Sequence, residues 1–304
     1  MANRRTFPQW GTTLMGSICD KLGVEQGAVN SDRLYKLVNN SQLLEAQTSG
    51  LGIELEGALV AAIGQADDVV LVANSPIKLA CLLHLTILYC QRQHVTLVPS
   101  KTKLLVWSPS NQKQATGLLK LSCPISIGSL DISYSQSAEH VGVLRSTEGG
   151  NMPNILDRLS AHRRAMAAVL FTGAAQHHRA NPSATIQLEK LYGCPVLLSG
   201  LASLVLNNSE LGAVLRHQRI TLCRLLKLSK TTPDSVVYFL AGSLPSTALI
   251  HLRQLGLLGM LARLGECSVL QQLGRAALFF TVNCKSWFQQ VRNVSQQYSL
   301  PDPL

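Results

Sequence analysis

Gln65-Ala66-Asp67-Asp68, followed by the apolar run Val69-Val70-Leu71-Val72-Ala73, decides how this chain of 304 residues is read. Gly64, directly before it, permits a tight turn. The pattern predicts a strand, a turn that carries two adjacent carboxylates, and a second strand. Like charges side by side repel, so such a pair, where buried, needs a cation. Taken alone, Asp-Asp in a polar turn also reads as an ordinary solvated turn.

Working outward, Leu34, Leu37, Val38, Leu43 and Leu44 recur at helical spacing and predict a helix over residues 30–47, capped by Asn30 or Ser31. Residues 58–63 and 69–73 flank the acidic pair as a hairpin. Ser75-Pro76 opens a helix over 77–94. Residues 95–98 and 104–107 read as short strands, and 119–122 and 132–134 as edge strands. Strand signals nearly vanish after Asn154. Ile155, Leu159, His162, Met166, Val169 and Leu170 mark one helix face. A second helix, over 210–228, has Leu211, Val214, Leu215, Leu222, Leu225 and Leu226 on one side and Arg216, Arg219, Arg224 and Lys227 on the other. A third runs over 247–264. The predicted class is α+β: a βαβ-type sheet with helices in residues 1–145, then an all-helical region in residues 146–304.

A hydrophobic content of 46% is enough for a core, and 5% aromatics favours a Leu/Ala/Val-packed helical interior. The eight cysteines form no Cys-x-x-Cys pair, which argues against a zinc site and for reduced thiols. His177-His178 cannot share one helix face and reads as bland. Charge is uneven: residues 1–139 carry 11 Lys/Arg against 10 Asp/Glu, and residues 140–304 carry 16 against 7. A nearly neutral half with an acidic pair and a strongly basic half suit metal binding in one part and phosphate-backbone binding in the other. Arg4 and Arg5 precede no long apolar core. The longest apolar stretches are broken by His84, Ser199 and Ser203 and fall short of the ~20 residues of a membrane span. The expectation is an intracellular protein, nuclear or cytoplasmic, with no signal peptide and no membrane association.

Four segments, in order, resemble reverse transcriptases of LINE-type (non-long-terminal-repeat) retrotransposons. Gly23-Val24-Glu25-Gln26-Gly27-Ala28-Val29-Asn30-Ser31 is similar to the family's Gly-x-x-Gln-Gly-x-x-x-Ser-Pro motif, with Asp32 in place of the proline. Ala66-Asp67-Asp68 matches the catalytic hairpin. Val95-Thr96-Leu97-Val98-Pro99-Ser100-Lys101-Thr102-Lys103 resembles the strand with Lys-Thr-Lys, and Glu139-His140-Val141-Gly142-Val143-Leu144 resembles the primer-gripping hairpin. The resemblance implies a partial polymerase palm followed by a thumb-like region, and nucleotidyl transfer by an RNA-directed DNA polymerase. It implies Mg²⁺ or Mn²⁺ on Asp67 and Asp68, and Lys101 or Lys103 beside the triphosphate. Gln26, Gly27 and Ser31 would line the nucleotide and template pocket, and Gly142 would meet the primer. Arg216, Arg219, Arg224 and Lys227 would face the nucleic-acid backbone. RNA template, DNA primer and deoxynucleoside triphosphates are the implied partners.

The family's fingers and first catalytic Asp strand have no counterpart in residues 1–22, where Asp20 is the one acid. The chain is therefore expected to be a truncated fragment, inactive alone. An inert nucleic-acid-binding remnant and a helical interaction module are the alternative readings.

Overall fold

The computed structural model describes residues 4–6, 9–10, 12–14, 16, 18–20, 30–55, 57–107, 125–147, 150–169, 181–264 and 286–300. In chain order the elements are β1 (Arg4–Thr6), β2 (Gln9–Trp10), β3 (Thr13–Leu14), β4 (Ile18–Asp20), α1 (Ser31–Thr48), β5 (Ile53–Leu55), β6 (Ala58–Val60), β7 (Ala62–Gln65), β8 (Asp68–Leu71), α2 (Pro76–Arg92), β9 (Ser126–Ile127), β10 (Leu130–Asp131), β11 (Ser137–His140), β12 (Val143–Ser146), α3 (Met152–Val169), α4 (Pro182–Leu188), α5 (Cys194–Leu198), α6 (Asn208–Leu225), α7 (Asp234–Ala241), α8 (Ser246–Ala262) and α9 (Trp287–Gln297). A π-helical turn, Glu189–Gly193, joins α4 to α5, and a 3-10 turn, Leu201–Ser203, follows. The class is α+β. The chain divides into two compact units, residues 1–53 with 59–97, and residues 54–58 with 98–304. This division differs from the sequence boundary at residue 145, because β9 to β12 go with the helical unit.

The βαβ-type sheet expected from the sequence is not formed among the described residues. Their strands pair only two by two. β1 pairs with β4, β2 with β3, β7 with β8, β9 with β10 and β11 with β12, each antiparallel. Parallel strands need a long crossover connection, whereas each of these pairs joins strands close in sequence. The one parallel contact among the described residues is an isolated bridge from Leu104 to Tyr134. It replaces the strands expected at 104–107 and 132–134. Residues 95–98 form no strand either. α2 ends with His94 in the left-handed region (φ 54°) and Val95 N–H donating to the Cys90 carbonyl at 2.8 Å, a Schellman-type close. The strand expected at 119–122 lies outside the described residues.

In the first unit, α2 begins as its sequence dictates: the Ser75 hydroxyl accepts from Lys78 N–H at 3.3 Å, with Pro76 in the first turn. α1 departs from expectation. The N-cap residue is Asn30, and its side chain makes no cap hydrogen bond, while Ser31 is the first residue of the helix. Its periodic apolar residues Leu34, Leu37, Val38 and Leu44 are exposed, and the buried positions are Asn39, Gln42 and Ala46. The reason is hydrogen bonding. Gln47 donates to the Leu59 carbonyl and accepts from Ala61 N–H at 3.3 Å, so the polar stripe faces the strands. Tyr89 of α2 donates to the Val38 carbonyl at 2.6 Å, and Arg92 pairs with Glu45 at 2.6 Å, fixing α1 on α2. Ala46, Ala61 and Leu82 form the small core.

The second unit holds the larger core, with Val143, Ile155, Leu197, Leu198, Leu201 and Ile250 among its members. Within the apolar stretch of residues 195–206, Leu197, Leu198, Leu201, Leu204 and Leu206 are interior, while Pro195 and Val205 are exposed. A second cluster joins Ile186, Leu222, Val237 and Tyr238. α6 starts at a capping box: Glu210 N–H donates to Asn207 Oδ1 at 2.9 Å, and Asn207 N–H to Glu210 Oε2 at 2.8 Å. The same carboxylate accepts from Asn151 N–H at 3.0 Å, locking the start of α3 to the start of α6. Buried Gln218 accepts from Ser246 N–H at 2.6 Å and donates to the Leu244 carbonyl, tying α6 to the head of α8. Among the described residues no single helix is long and apolar enough to cross a membrane. α7 and α8, bent by 63°, pass that test only as a pair.

Candidate metal and nucleic-acid site

Ala62 to Leu71 fold as a two-residue hairpin. The register pairs Ala62 with Leu71 and Gln65 with Asp68, which leaves Ala66 and Asp67 as the turn. Ala66 takes a positive φ of 51°. Asp67 sits on the turn and Asp68 is the first residue of β8, and both are exposed. The turn is braced from α1, where Asn39 Nδ2 donates to the Ala66 carbonyl at 3.2 Å. Gly64 lets the strand close on the helix. A Cβ there would stand 3.1 and 3.2 Å from the two Leu43 methyls. Tyr35 of α1 lies within electrostatic reach: burial first, then the negative charge of Asp67, raises its phenol above the usual range. Tyr35 therefore keeps its proton and stands as a neutral donor beside the pair.

Carboxylates are the hard oxygen donors that Mg²⁺ and Mn²⁺ take. Among the described residues no group of three or more His, Cys, Asp and Glu side chains is gathered to hold an ion. Two exposed carboxylates fit an ion that completes its shell with water and the phosphate oxygens of a ligand, not an all-protein cage.

The remaining sequence-derived residues are dispersed. Lys101 and Lys103 are exposed and belong to the second unit, whereas the acidic pair belongs to the first. Lys101 N–H closes a turn onto the Val98 carbonyl at 3.1 Å. Ser31 is half-buried at the first position of α1, and Gln26 and Gly27 lie outside the described residues. Gly142 shares the β11–β12 turn with Val141, at φ of 71° and 52°.

The basic row of α6 divides in two. Arg216 and Arg224 are exposed, and so is Lys227, in the left-handed residue just past the helix end. Arg219 is committed within the fold. It pairs with Asp234 and donates to the carbonyls of Lys230 at 2.9 Å and Thr232 at 2.7 Å, which fastens the α6–α7 loop. These contacts set it apart from the other cations of the row. Its Nε and Nη2 serve one carboxylate and two carbonyls.

Sequence reasoning missed Asn39, Tyr35 and a buried cluster of His162, Glu189 and His217. Asn39 was legible only as a polar interruption of a leucine stripe. The cluster joins side chains from two helices and a π turn, and no local spacing announces it. No protein-family model matches the chain, and no curated protein is significantly similar to it.

Proposed function

We propose that the chain is a reverse-transcriptase-like protein that binds an RNA template paired with a DNA primer. Asp67 and Asp68 hold a divalent ion together with phosphate oxygens of the bound ligand. The observation that carries this reading is the pair of adjacent, exposed carboxylates on a two-residue antiparallel turn, braced by Asn39 from a packed helix. The ion, when bound, supplies a Lewis acid for nucleotidyl transfer. The chain's own residues hold the turn rigid, keep the Tyr35 phenol protonated beside it, and offer exposed cations on α3 and α6 to phosphates.

Polymerase activity in isolation is not part of the proposal, because two-metal chemistry needs ions about 3.5–4 Å apart, and two neighbouring carboxylates do not hold both. Fluorescence anisotropy with a labelled RNA–DNA duplex tests the reading. Affinity is expected to fall with salt at about 0.9 log units per log unit for each phosphate neutralised, as on B-form DNA. Salt-independent binding, or none, contradicts it.

A helical interaction module is the second reading, and one observation favours it: Leu37 of α1 is 78% exposed, beside exposed Leu34, Val38 and Leu44.

A further inference from the structure

Where α3 crosses α6, His162 Nδ1 and His217 Nε2 meet at 2.9 Å, with the rings edge to face. His162 is wholly buried, and its other nitrogen, Nε2, stands 3.8 Å from Glu189 Oε1. Glu189 is also wholly buried, at the first position of the π turn, and neither of its carboxylate oxygens has a hydrogen-bond partner. A carboxylate, an imidazole and a second imidazole thus form a chain from the interior to a half-buried ring. Arg163 follows His162 directly, and Arg224 lies two turns on from His217, on the same face of α6. Both arginines are exposed, and neither is in an ion pair among the described residues.

At 3.8 Å His162 Nε2 and Glu189 Oε1 face each other without a hydrogen bond, and the direction of the bond between the two imidazoles depends on the tautomer. One tautomer sets a proton toward the carboxylate. In it, His162 carries its proton on Nε2, so its Nδ1 accepts from His217 Nε2–H. His217 is then left with a lone pair on Nδ1. A proton taken from solvent there makes an imidazolium, with an N–H to give to an anion.

We propose that His217, backed by His162 and Glu189 and flanked by Arg163 and Arg224, is a proton-linked seat for a phosphate group. Binding of the phosphate is accompanied by uptake of one proton on His217. This rests on the nucleic-acid reading only for the phosphate's source, since a free phosphate has the same chemistry.

The groups that face His217 support this. Burial first, then His162, Arg163 and Arg224, hold its imidazole down to about 4, so it is neutral when no anion is present. A phosphate between the arginines offsets the last two effects and favours the charged ring. The other helices packed on α6 add little. α4 carries no ionisable side chain, Asp234 of α7 is held by Arg219, and His251 of α8 bonds Tyr298 at 3.2 Å. Glu189 and His162 are positioning residues.

The test uses the full chain and two probes, a labelled single-stranded RNA and inorganic phosphate, between pH about 7.5 and about 5.5. Uptake of one proton tightens binding by up to about tenfold per pH unit. The expected result is affinity that rises severalfold as pH falls, and a flat profile for His217→Gln. Glu189→Gln is expected to flatten the profile partly, and Arg163→Gln with Arg224→Gln to weaken binding at every pH. Histidine side-chain NMR shifts give a second readout that does not depend on stability. The His217 ring should move to its protonated position on addition of either probe. A pH profile in His217→Gln equal to that of the parent chain, or a His217 ring unmoved at saturation, overturns the seat while leaving nucleic-acid binding intact. Proton-linked binding of phosphate without RNA binding keeps the seat and overturns the nucleic-acid reading.

Discussion

The side-chain amide of Asn39 donates to the carbonyl oxygen of Ala66 across 3.2 Å, tying the middle of α1 to the left-handed turn residue that precedes Asp67. The geometry of the acidic pair therefore depends on a neutral residue far from it in sequence. Replacing Asn39 by Leu leaves that carbonyl without its donor. The expected cost is about 1–2 kcal/mol in urea unfolding. Hydrogen exchange should quicken within residues 62–71 and leave the second unit unchanged. Uniform exchange in both units would mean that the bond does not govern the turn.

Gly64 is where the hairpin closes on α1. A Cβ there comes within 3.1 Å of a Leu43 methyl, a contact that a leucine rotamer can partly relieve. Gly64→Ala should cost little, and Gly64→Val about 1–3 kcal/mol through overpacking. Equal stability of the two variants by thermal melting would show that Leu43 moves freely.

Of the basic residues on and just past α6, Arg219 should behave unlike its neighbours. Arg219→Gln unfastens the loop held through Asp234, Lys230 and Thr232, so it should lower the melting temperature and leave the salt slope of nucleic-acid binding nearly unchanged. Arg224→Gln should do the reverse, reducing the slope by about one unit. Lys227 offers a cleaner separation. It sits at φ 55°, where glycine carries no Cβ penalty, so Lys227→Gly should keep or raise stability while losing one cation. A less stable Lys227→Gly chain would contradict this account of the helix end.

Much of the helical half was legible because its cues are local. Pro182, Pro233, Gly242 and Pro245 mark breaks that the structure keeps, and the spacing of Val214 and Leu222 locates the buried face of α6. The capping box of Asn207 and Glu210 was also legible, yet the sequence reading began that helix at Glu210 and missed its cap. The hairpin at the acidic pair followed from Gly64 and the flanking apolar runs, although its strands pair over residues 62–65 and 68–71 where 58–63 and 69–73 were expected. The burial of α1 did not follow, because the helix faces its strands largely through the amides of Asn39 and Gln47 while Leu34, Leu37 and Leu44 stay exposed. Hydrophobic periodicity cannot report a stripe that is buried by hydrogen bonds. Apolar residues at 95–98 read as a strand, but their path is set by the left-handed close at His94.

Acid should destabilise the helical unit. The His217 imidazole is held down to about 4 in the folded chain, against about 6.5 when unfolded, chiefly by burial and then by His162. Between these values the unfolded chain binds the extra proton. Stability is therefore fully present above pH about 6.5 and falls as pH is lowered toward about 4. Burial holds His251 down in the same direction. Urea midpoints measured across this window should decline, and His217→Gln should decline less. A midpoint that rises on acidification would reverse the sign and contradict the buried-histidine account.

The central claim is that Asp67 and Asp68 hold a divalent ion together with phosphate oxygens. Electron paramagnetic resonance of Mn²⁺, titrated into the full chain with and without an RNA–DNA duplex, measures this directly. The account predicts weak binding to the chain alone and binding at least about tenfold tighter with the duplex present, because phosphates complete the shell. Asp67→Asn with Asp68→Asn should abolish the gain while duplex binding in the absence of metal persists. Mn²⁺ affinity that is the same with and without the duplex, or a gain that survives the double substitution, would contradict it.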